Sequence, residues 1–567
     1  MDPRSIPFNI GTIAHGTALI TKYDIVIHGM RIIKLNHLAP KAFLVLFLVA
    51  FIWITLNVVF APRLAIFVPN PLLEIPVIIF TLLLCFALPY FIKKIPGSIR
   101  ENTLLYRASI AIIFIGMLIV HLWMGLSLQP SILGYGWDPR LVIADATHLA
   151  SNIPVQYSDY FLLNQNNIAI LAILSGIFRL TSLVGIHDHN TVAIILNILS
   201  MNAAIVILYL TAIKIFGRRI GVLSLVFSFV FFTLSFWSTT PYTDTLTLWA
   251  PILVFYIYIH LRSARAINTK LLLLLAITVT AVIGYELKPT TIIMPIAVLV
   301  FLTFEYMYNF IRRPGRDKII NTNNLLTIGG CLLFFILHVL SLHLINISQV
   351  VPFNLLTSAN ESRPMSHFMM MGLKTSYREY PRPLYGAYSL DDDLLTTSGR
   401  ADGSSHEIAI SEIKKRLTDM GAIGYISFLN NKAVWIMSDG TFYAYGEGLA
   451  IGGPVHYVRD DFLHKIAQNL FSIDGRFYPA TSNVFHGAWV ALLILICLQL
   501  PAILRRHKLV RATQLIVIQL SLAGIIAFVL LFEGRSRYLY NFLPLFIIAG
   551  LYSLYLLHGS KNYITKK

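Results

Sequence analysis

The sequence predicts an all-α polytopic membrane protein, with about twelve transmembrane helices, interfacial helices and a small α/β or α+β extracytoplasmic domain. Three observations lead there. The 567 residues are 56% hydrophobic and only 13% charged, with a mean hydropathy of +0.71, whereas soluble domains carry about 25% charged residues. Apolar runs recur from Pro40 to His558, each close to the roughly 20 residues that cross hydrocarbon as a helix. The short loops between them alternate between strongly basic and nearly free of Lys and Arg.

Taken in order, the expected spans are 42–61, 74–92, 106–127, 191–213, 219–239, 245–262, 271–287, 290–310, 325–346, 484–504, 512–532 and 538–558. One set of loops holds Lys93/Lys94/Arg100, Lys214/Arg218/Arg219, Arg262/Arg265/Lys270, Arg312/Arg313/Arg316/Lys318, Arg505/Arg506/Lys508/Arg511 and Lys561/Lys566/Lys567. The other short loops hold only Arg63, Arg140, Arg179, Lys288, Arg535 and Arg537. Basic loops mark the cytoplasmic side, so both termini are expected in the cytoplasm. The net charge of +17 then sits beside anionic lipid headgroups, and nucleic acid is excluded as a partner. The stretch Asn167–Gly185 is apolar enough to cross, but counting it would invert every later loop. It is expected in the outer interface, with Arg179 reaching headgroups.

The chain accordingly divides into a cytoplasmic leader (1–41), an extra N-terminal transmembrane hairpin (42–104), a transmembrane core (105–346) with a first outer loop at 127–190, an outer domain (347–483), and C-terminal spans with a cytoplasmic tail (484–567). The leader lacks an apolar stretch followed by a cleavage site, so no cleaved signal peptide is expected. Within the outer domain, Ser405–Met420 reads as an amphipathic helix and Ser438-Asp439-Gly440-Thr441 as a turn. Cys85, Cys331 and Cys497 all lie inside apolar runs, which argues against a disulfide framework.

Ionisable groups inside spans mark transport or proton pathways, yet here His121 and His338 are the clearest mid-span candidates, and satisfied core histidines account for them. The polar residues gather instead at the outer span ends: Asp138, Asp145 and His148; Tyr242 and Asp244; Glu286 and Lys288; Glu533, Arg535 and Arg537. A single carboxylate can accept the proton of an attacking hydroxyl, and cations beside it can hold a phosphate as it leaves, arginine doing so with a forked contact. Together these describe transfer of a group from a lipid phosphate to a hydroxyl at the outer surface.

Gly136-Trp137-Asp138-Pro139, with Val142 and Ala146 beyond it, resembles the acidic first outer loop of the GT-C membrane glycosyltransferases, among them the protein O-mannosyltransferases and the lipid A aminoarabinose transferase. Tyr157–Leu171 is similar to a segment of bacterial relatives, with Gln165 where they carry proline and Asn166-Asn167 in register. Phe216-Gly217-Arg218-Arg219 resembles a cytoplasmic turn between spans. Pro241-Tyr242-Thr243-Asp244, Lys288-Pro289-Thr290, Glu533–Tyr540 and Ser366–Leu373 resemble later outer motifs. The resemblance runs from Leu105 to the C-terminus. It implies an inverting transfer from a polyprenyl-phosphate-linked sugar, with Asp138 as catalytic base, Lys288, Arg535 and Arg537 on the donor phosphate, and Asn166, Asn167, Tyr242, Asp244 and His367 as substrate-binding candidates. The protein O-mannosyltransferases carry two adjacent acids where Asp138 is followed by Pro139. That departure points away from protein and towards an envelope polysaccharide or a teichoic-acid-like polymer as acceptor, with protein kept as a further acceptor class. No cofactor is called for, and a divalent metal is left open.

Each residue also has a plainer role. Asp138 would cap the following helix and Asp244 span 245–262. Lys288 would snorkel to headgroups, Arg535 and Arg537 would pair with Glu533, and His367 would pack beside a Met-rich face. Asp145 with His148 forms a polar helix face with too few ligands for a metal. Asp391-Asp392-Asp393 reads as a solvated turn without calcium-loop spacing. The sequons at Asn346 and Asn360 are read as chance matches. A lipid-linked saccharide flippase and a non-catalytic envelope assembly protein are the competing readings.

Overall fold

A computed structural model describes residues 41–64, 68–94, 103–132, 138–312, 322–347, 362–377, 382–444, 461–471, 475–505 and 512–558. The leader before residue 41, Gly136, Trp137, Asn360 and the tail beyond residue 558 lie outside the described residues.

The described chain is overwhelmingly helical. Helices α1 (Lys41–Phe60), α2 (Pro71–Lys94) and α3 (Thr103–Ile132) lead to a short helical region, α4 (Asp138–Ala150), α5 (Ser158–Leu163) and α6 (Ile168–Leu183). The core continues through α7 (His189–Phe216), α8 (Trp249–Ser263), α9 (Ile267–Leu287), α10 (Ile293–Arg312) and α11 (Thr322–Ile347). The segment between α11 and the last spans holds α12 (Met365–Met371), strands β1 (Thr375–Ser376) and β2 (Leu384–Tyr385), α13 (Leu390–Ser398), α14 (Ser405–Ser438) and α15 (Phe462–Phe471). Helices α16 (Tyr478–Cys497), α17 (Ala512–Leu531) and α18 (Leu543–His558) close the bundle.

Eleven helices among the described residues are long and apolar enough to cross a membrane. Ten coincide with expected spans, and the eleventh is Gln165–Leu183. The expected spans 219–239 and 538–558 are not long helices. The first is broken into Arg218–Gly221, Leu223–Ser228, a π-turn at Phe229–Thr233 and a 3-10 turn at Phe236–Thr239. Irregular backbone at membrane depth survives only when buried in protein and satisfied by neighbours. Here Asn197, fully buried on α7, donates to the carbonyls of Trp237 and Ser238, both at 2.9 Å. The second is shortened because Arg537–Tyr540 forms its own turn before α18.

Just before α6, Asn167 bonds to Tyr242, and in its last turn Ser182 reaches His189 at 3.0 Å. Asn197 and Ser200, only about 12–16 Å along α7 at 1.5 Å per residue, already meet the backbone of Trp237 and Leu246. Arg179 does not point outward as expected. Its guanidinium donates to the Leu149 carbonyl at 2.9 and 3.2 Å, fastening α6 to α4.

The N-terminal hairpin is docked on the rest of the chain. Glu74 meets His486 at 2.9 Å, and Asn483 accepts from the Asn70 N–H. Arg63 donates to the Tyr385 hydroxyl, and Trp53 donates to Asn430. The expected α/β domain does not appear among the described residues, whose segment between α11 and α16 is helical apart from the two-residue antiparallel ladder. Ser405–Met420 is helical, and Gly421, at φ +58°, breaks it from a continuation whose end is buried. Asp439 makes the expected turn, accepting from the Thr441 and Tyr443 N–H groups.

Candidate active site

The turns that interrupt the helices bring most of the polar candidates into one cluster. Asp138 opens α4, where the helix N-terminus favours a carboxylate. The Tyr242 hydroxyl lies 3.1 Å from both Asp138 Oδ2 and Asn167 Oδ1. Asn167 in turn donates to the Tyr160 hydroxyl at 2.6 Å. Burial, then the charge of Asp138, pushes both Tyr160 and Tyr242 well above the ordinary tyrosine value. Both therefore stay protonated, and Tyr242 is a donor towards Asp138.

Arg537 continues the cluster. Its guanidinium carbon stands 5.9 Å from the centre of the Tyr242 ring, and its Nε lies 3.6 Å from Asp244 Oδ2. The other Asp244 oxygen pairs with Lys288. Burial pushes Lys288 below the ordinary lysine value, with Asp244 opposing. Lys288 also sits 4.9 Å from the Tyr538 ring, whose hydroxyl donates to Glu533 at 2.7 Å. Glu533 is 3.5 Å from Arg535. Asp244, Lys288, Glu533, Arg535 and Arg537 are all buried. Three cations thus face two carboxylates, with Asp138 at the margin of the group.

The local backbone explains these positions. Lys288 is extended between α9 and the 3-10 turn Pro289–Ile292, because a residue before proline is pushed out of the helical region. The buried Thr290 and Thr291 hydroxyls on that turn have no hydrogen-bond partner among the described residues. Asn541 holds the neighbouring break, donating to the Asp244 carbonyl and Thr247 at 2.9 and 2.7 Å. The turn carrying Glu533–Arg537 is clamped from the segment that holds α12 and α14. Glu533 N–H donates to Phe368 O, Gly534 N–H to Gly386 O, and buried Lys432 to the carbonyls of Gly372, Leu530 and Phe532.

Asp138, Asn167, Tyr242, Asp244, Lys288, Arg535 and Arg537 are therefore joined by contacts. Asn166 is exposed and touches the group only through Asn167, at 3.3 Å. His367 stands apart, buried, with Nδ1 2.6 Å from Thr396 and Nε2 3.8 Å from Asp393. Burial, then Arg363, lowers it to about 4, so it is neutral near pH 7. Asp244 lies inside the short helix Thr243–Leu246, whose N-cap is Tyr242, and not at the cap itself.

Two further expectations change. Asp145 is fully buried and shapes the loop after α4, accepting from the N–H groups of Gln156 and Tyr157, both at 2.8 Å. Asp391-Asp392-Asp393 is the first turn of α13 and not a solvated turn. Lys374 binds Asp391 and Asp392, Arg416 binds Asp392, and Arg363 binds Asp393. No group of three metal-ligating side chains occurs among the described residues. Sequence reasoning missed Tyr160, Tyr538 and Lys432. The two tyrosines stand within motifs already singled out, whereas Lys432 gave no signal beyond one cation in an apolar stretch.

A family model described as "conserved hypothetical integral membrane protein" matches residues 33–555. The chain belongs to this family. The match takes in the N-terminal hairpin and the whole cluster, so both belong to the body the family shares. No curated protein matches the chain.

Proposed function

We propose that this integral membrane protein is an inverting glycosyltransferase that moves a sugar from a polyprenyl-phosphate donor to a hydroxyl of an envelope glycan, a teichoic-acid-like polymer or a protein. The observation that carries this reading is the joining of Asp138, through Tyr242, to the cationic group Arg537–Asp244–Lys288. One accessible carboxylate beside several buried cations suits a reaction in which a proton leaves one partner and a phosphate departs from the other.

In this mechanism the acceptor O–H loses its proton to the Asp138 carboxylate as its oxygen attacks the anomeric carbon. The anomeric C–O bond to phosphate breaks, and its electron pair stays on the phosphate. Lys288, Arg535 and Arg537 balance that charge. Tyr242 orients the base, and Asp244 orients two of the cations. The loop charges put this end of the bundle outside and both termini in the cytoplasm. Membrane lipids surround the spans, and the donor's polyprenyl tail lies between helices.

The test is to incubate the purified protein in lipid with labelled polyprenyl-phosphate sugars and to follow release of the sugar, with Asp138→Asn in parallel. Turnover by wild type alone supports the reading. Equal turnover by the variant removes Asp138 from the mechanism, and transfer of intact donor across vesicles without a new glycosidic bond replaces the enzyme with a flippase.

A further inference from the structure

A second cleft, of about 200 Å3, shares no lining residue with the Asp138–Arg537 cluster. One wall is Leu163, at the end of α5. The other comes from the segment that holds α12 and α14, with Arg363, Thr397, Arg400 and His406 supplying the polar surface and Ser405 a further hydroxyl. No carboxylate lines it among the described residues. Asp393 stands behind Arg363 and receives its Nε and Nη2 at 2.8 and 2.9 Å, which fixes the guanidinium plane. The same arginine donates its N–H to Leu163 O and its Nη1 to Asn164 Oδ1, closing the two walls together.

Leu163 ties this cleft to the segment that carries Asn167. Asn164 is three residues from Asn167, whose side chain bonds both Tyr160 and Tyr242. The wall opposite Leu163 is braced from behind by His367, which meets Thr396 and faces Asp393. His367 therefore touches the wall of this cleft and not the Asp138 cluster. Asp393 already balances Arg363, so the cationic side of the cleft is Arg400. With the His406 imidazole and the hydroxyls beside it, that side selects a ligand that carries both negative charge and hydroxyls. The volume admits about one sugar ring.

We propose that this cleft binds an acidic sugar unit of the acceptor glycan, a uronate or a phosphate-bearing residue, and so presents a neighbouring hydroxyl towards Asp138. The assignment rests on the glycosyl-transfer reading for the word acceptor, while the binding itself stands independently of turnover.

The full chain in lipid nanodiscs is titrated calorimetrically with short neutral, uronate-bearing and phosphate-bearing oligosaccharides and with inorganic phosphate. Acidic oligosaccharides bind about tenfold tighter than neutral ones, and Arg400→Glu and Thr397→Trp each weaken them about tenfold, the scale of one charge-assisted contact. The unfolding midpoint of each variant stays at the wild-type value. The two acidic arms tell uronate from phosphate recognition. Binding of inorganic phosphate as tight as that of any oligosaccharide overturns the proposal, as does oligosaccharide binding that both variants leave intact, or none at all. Donor hydrolysis without oligosaccharide binding leaves the transferase reading standing and removes the cleft. Oligosaccharide binding without donor hydrolysis does the reverse.

Discussion

The Tyr242 hydroxyl lies 3.1 Å from Asp138 Oδ2, while the ring that carries it lies under Arg537. A protonated phenol therefore links the carboxylate read as base to the first of the cations read as phosphate ligands. The proton on Tyr242 is held by burial and by Asp138 itself, so this link persists across the physiological pH range.

Replacing Asp138 by Asn removes proton acceptance and keeps the shape, so turnover falls about 10²–10⁴-fold while donor binding survives. Tyr242→Phe deletes only the hydroxyl. It is expected to lower kcat about tenfold and to leave the donor KM near wild type, because the proposed phosphate ligands are other residues. A Tyr242→Phe enzyme with full kcat removes the hydroxyl from the mechanism.

Asp244 is buried between Lys288 and Arg537. Asp244→Ala leaves two buried cations without their shared counter-ion, a loss of about 3–5 kcal/mol. Adding Lys288→Met to that variant recovers part of the loss, since one stranded charge disappears with it. Thermal unfolding of the single and double variants in detergent measures the coupling, and strictly additive losses deny it.

How legible was this in the sequence? Loop charges and apolar lengths were enough to place ten of the expected spans on long helices, because both follow from the cost of burying charge and backbone in hydrocarbon. The span at 219–239 was misread as one helix, since its apolar composition says nothing of the bonds from Asn197 that reward an unwound backbone. Outer-end placement drew Asp138, Tyr242, Asp244, Lys288, Arg535 and Arg537 into one list, and their contacts join them in space. His367 resisted such reading, because its partners Thr396 and Asp393 come from a helix about thirty residues away. The α/β expectation for residues 347–483 is not shown by the described residues, because mixed polar composition does not distinguish short amphipathic helices from strands.

Gly372 packs against the turn that carries Glu533. A Cβ there would lie 2.6 Å from the Phe532 carbonyl carbon, a backbone atom that cannot step aside alone. Gly372→Ala therefore shifts the Phe532–Gly534 segment and weakens donor binding by about tenfold. Lys432→Met acts on the same turn by removing the ammonium from three carbonyls. Donor affinity measured for both variants at wild-type acceptor affinity checks the clamp, and unchanged donor affinity in both denies it.

The segment that holds α12 and α14 should lose stability in two separate acid windows. His367 is held at about 4, below its ordinary 6.5, by burial and then by Arg363, with Asp393, Glu533 and Asp392 opposing. As pH falls below 6.5 the unfolded histidine takes up a proton that the folded one refuses. Unfolding is thus favoured progressively down to about pH 4, by no more than about 3 kcal/mol, and the effect is flat below that. Asp392 behaves oppositely in cause and at lower pH. Its burial raises it, but the bonds and charges of Arg416 and Lys374 prevail and hold it below its ordinary 3.8. Its stabilisation is full above that value and is lost only as pH falls through the lower folded one. His367→Gln should therefore flatten the unfolding midpoint between pH 6.5 and 4 and leave the decline below 3.8 in place. Asp392→Asn should lower the midpoint above pH 3.8 and abolish that second decline, so that the two curves converge at lower pH. A midpoint profile that His367→Gln does not change between pH 6.5 and 4 would show that the imidazole is not held neutral by its place behind the cleft.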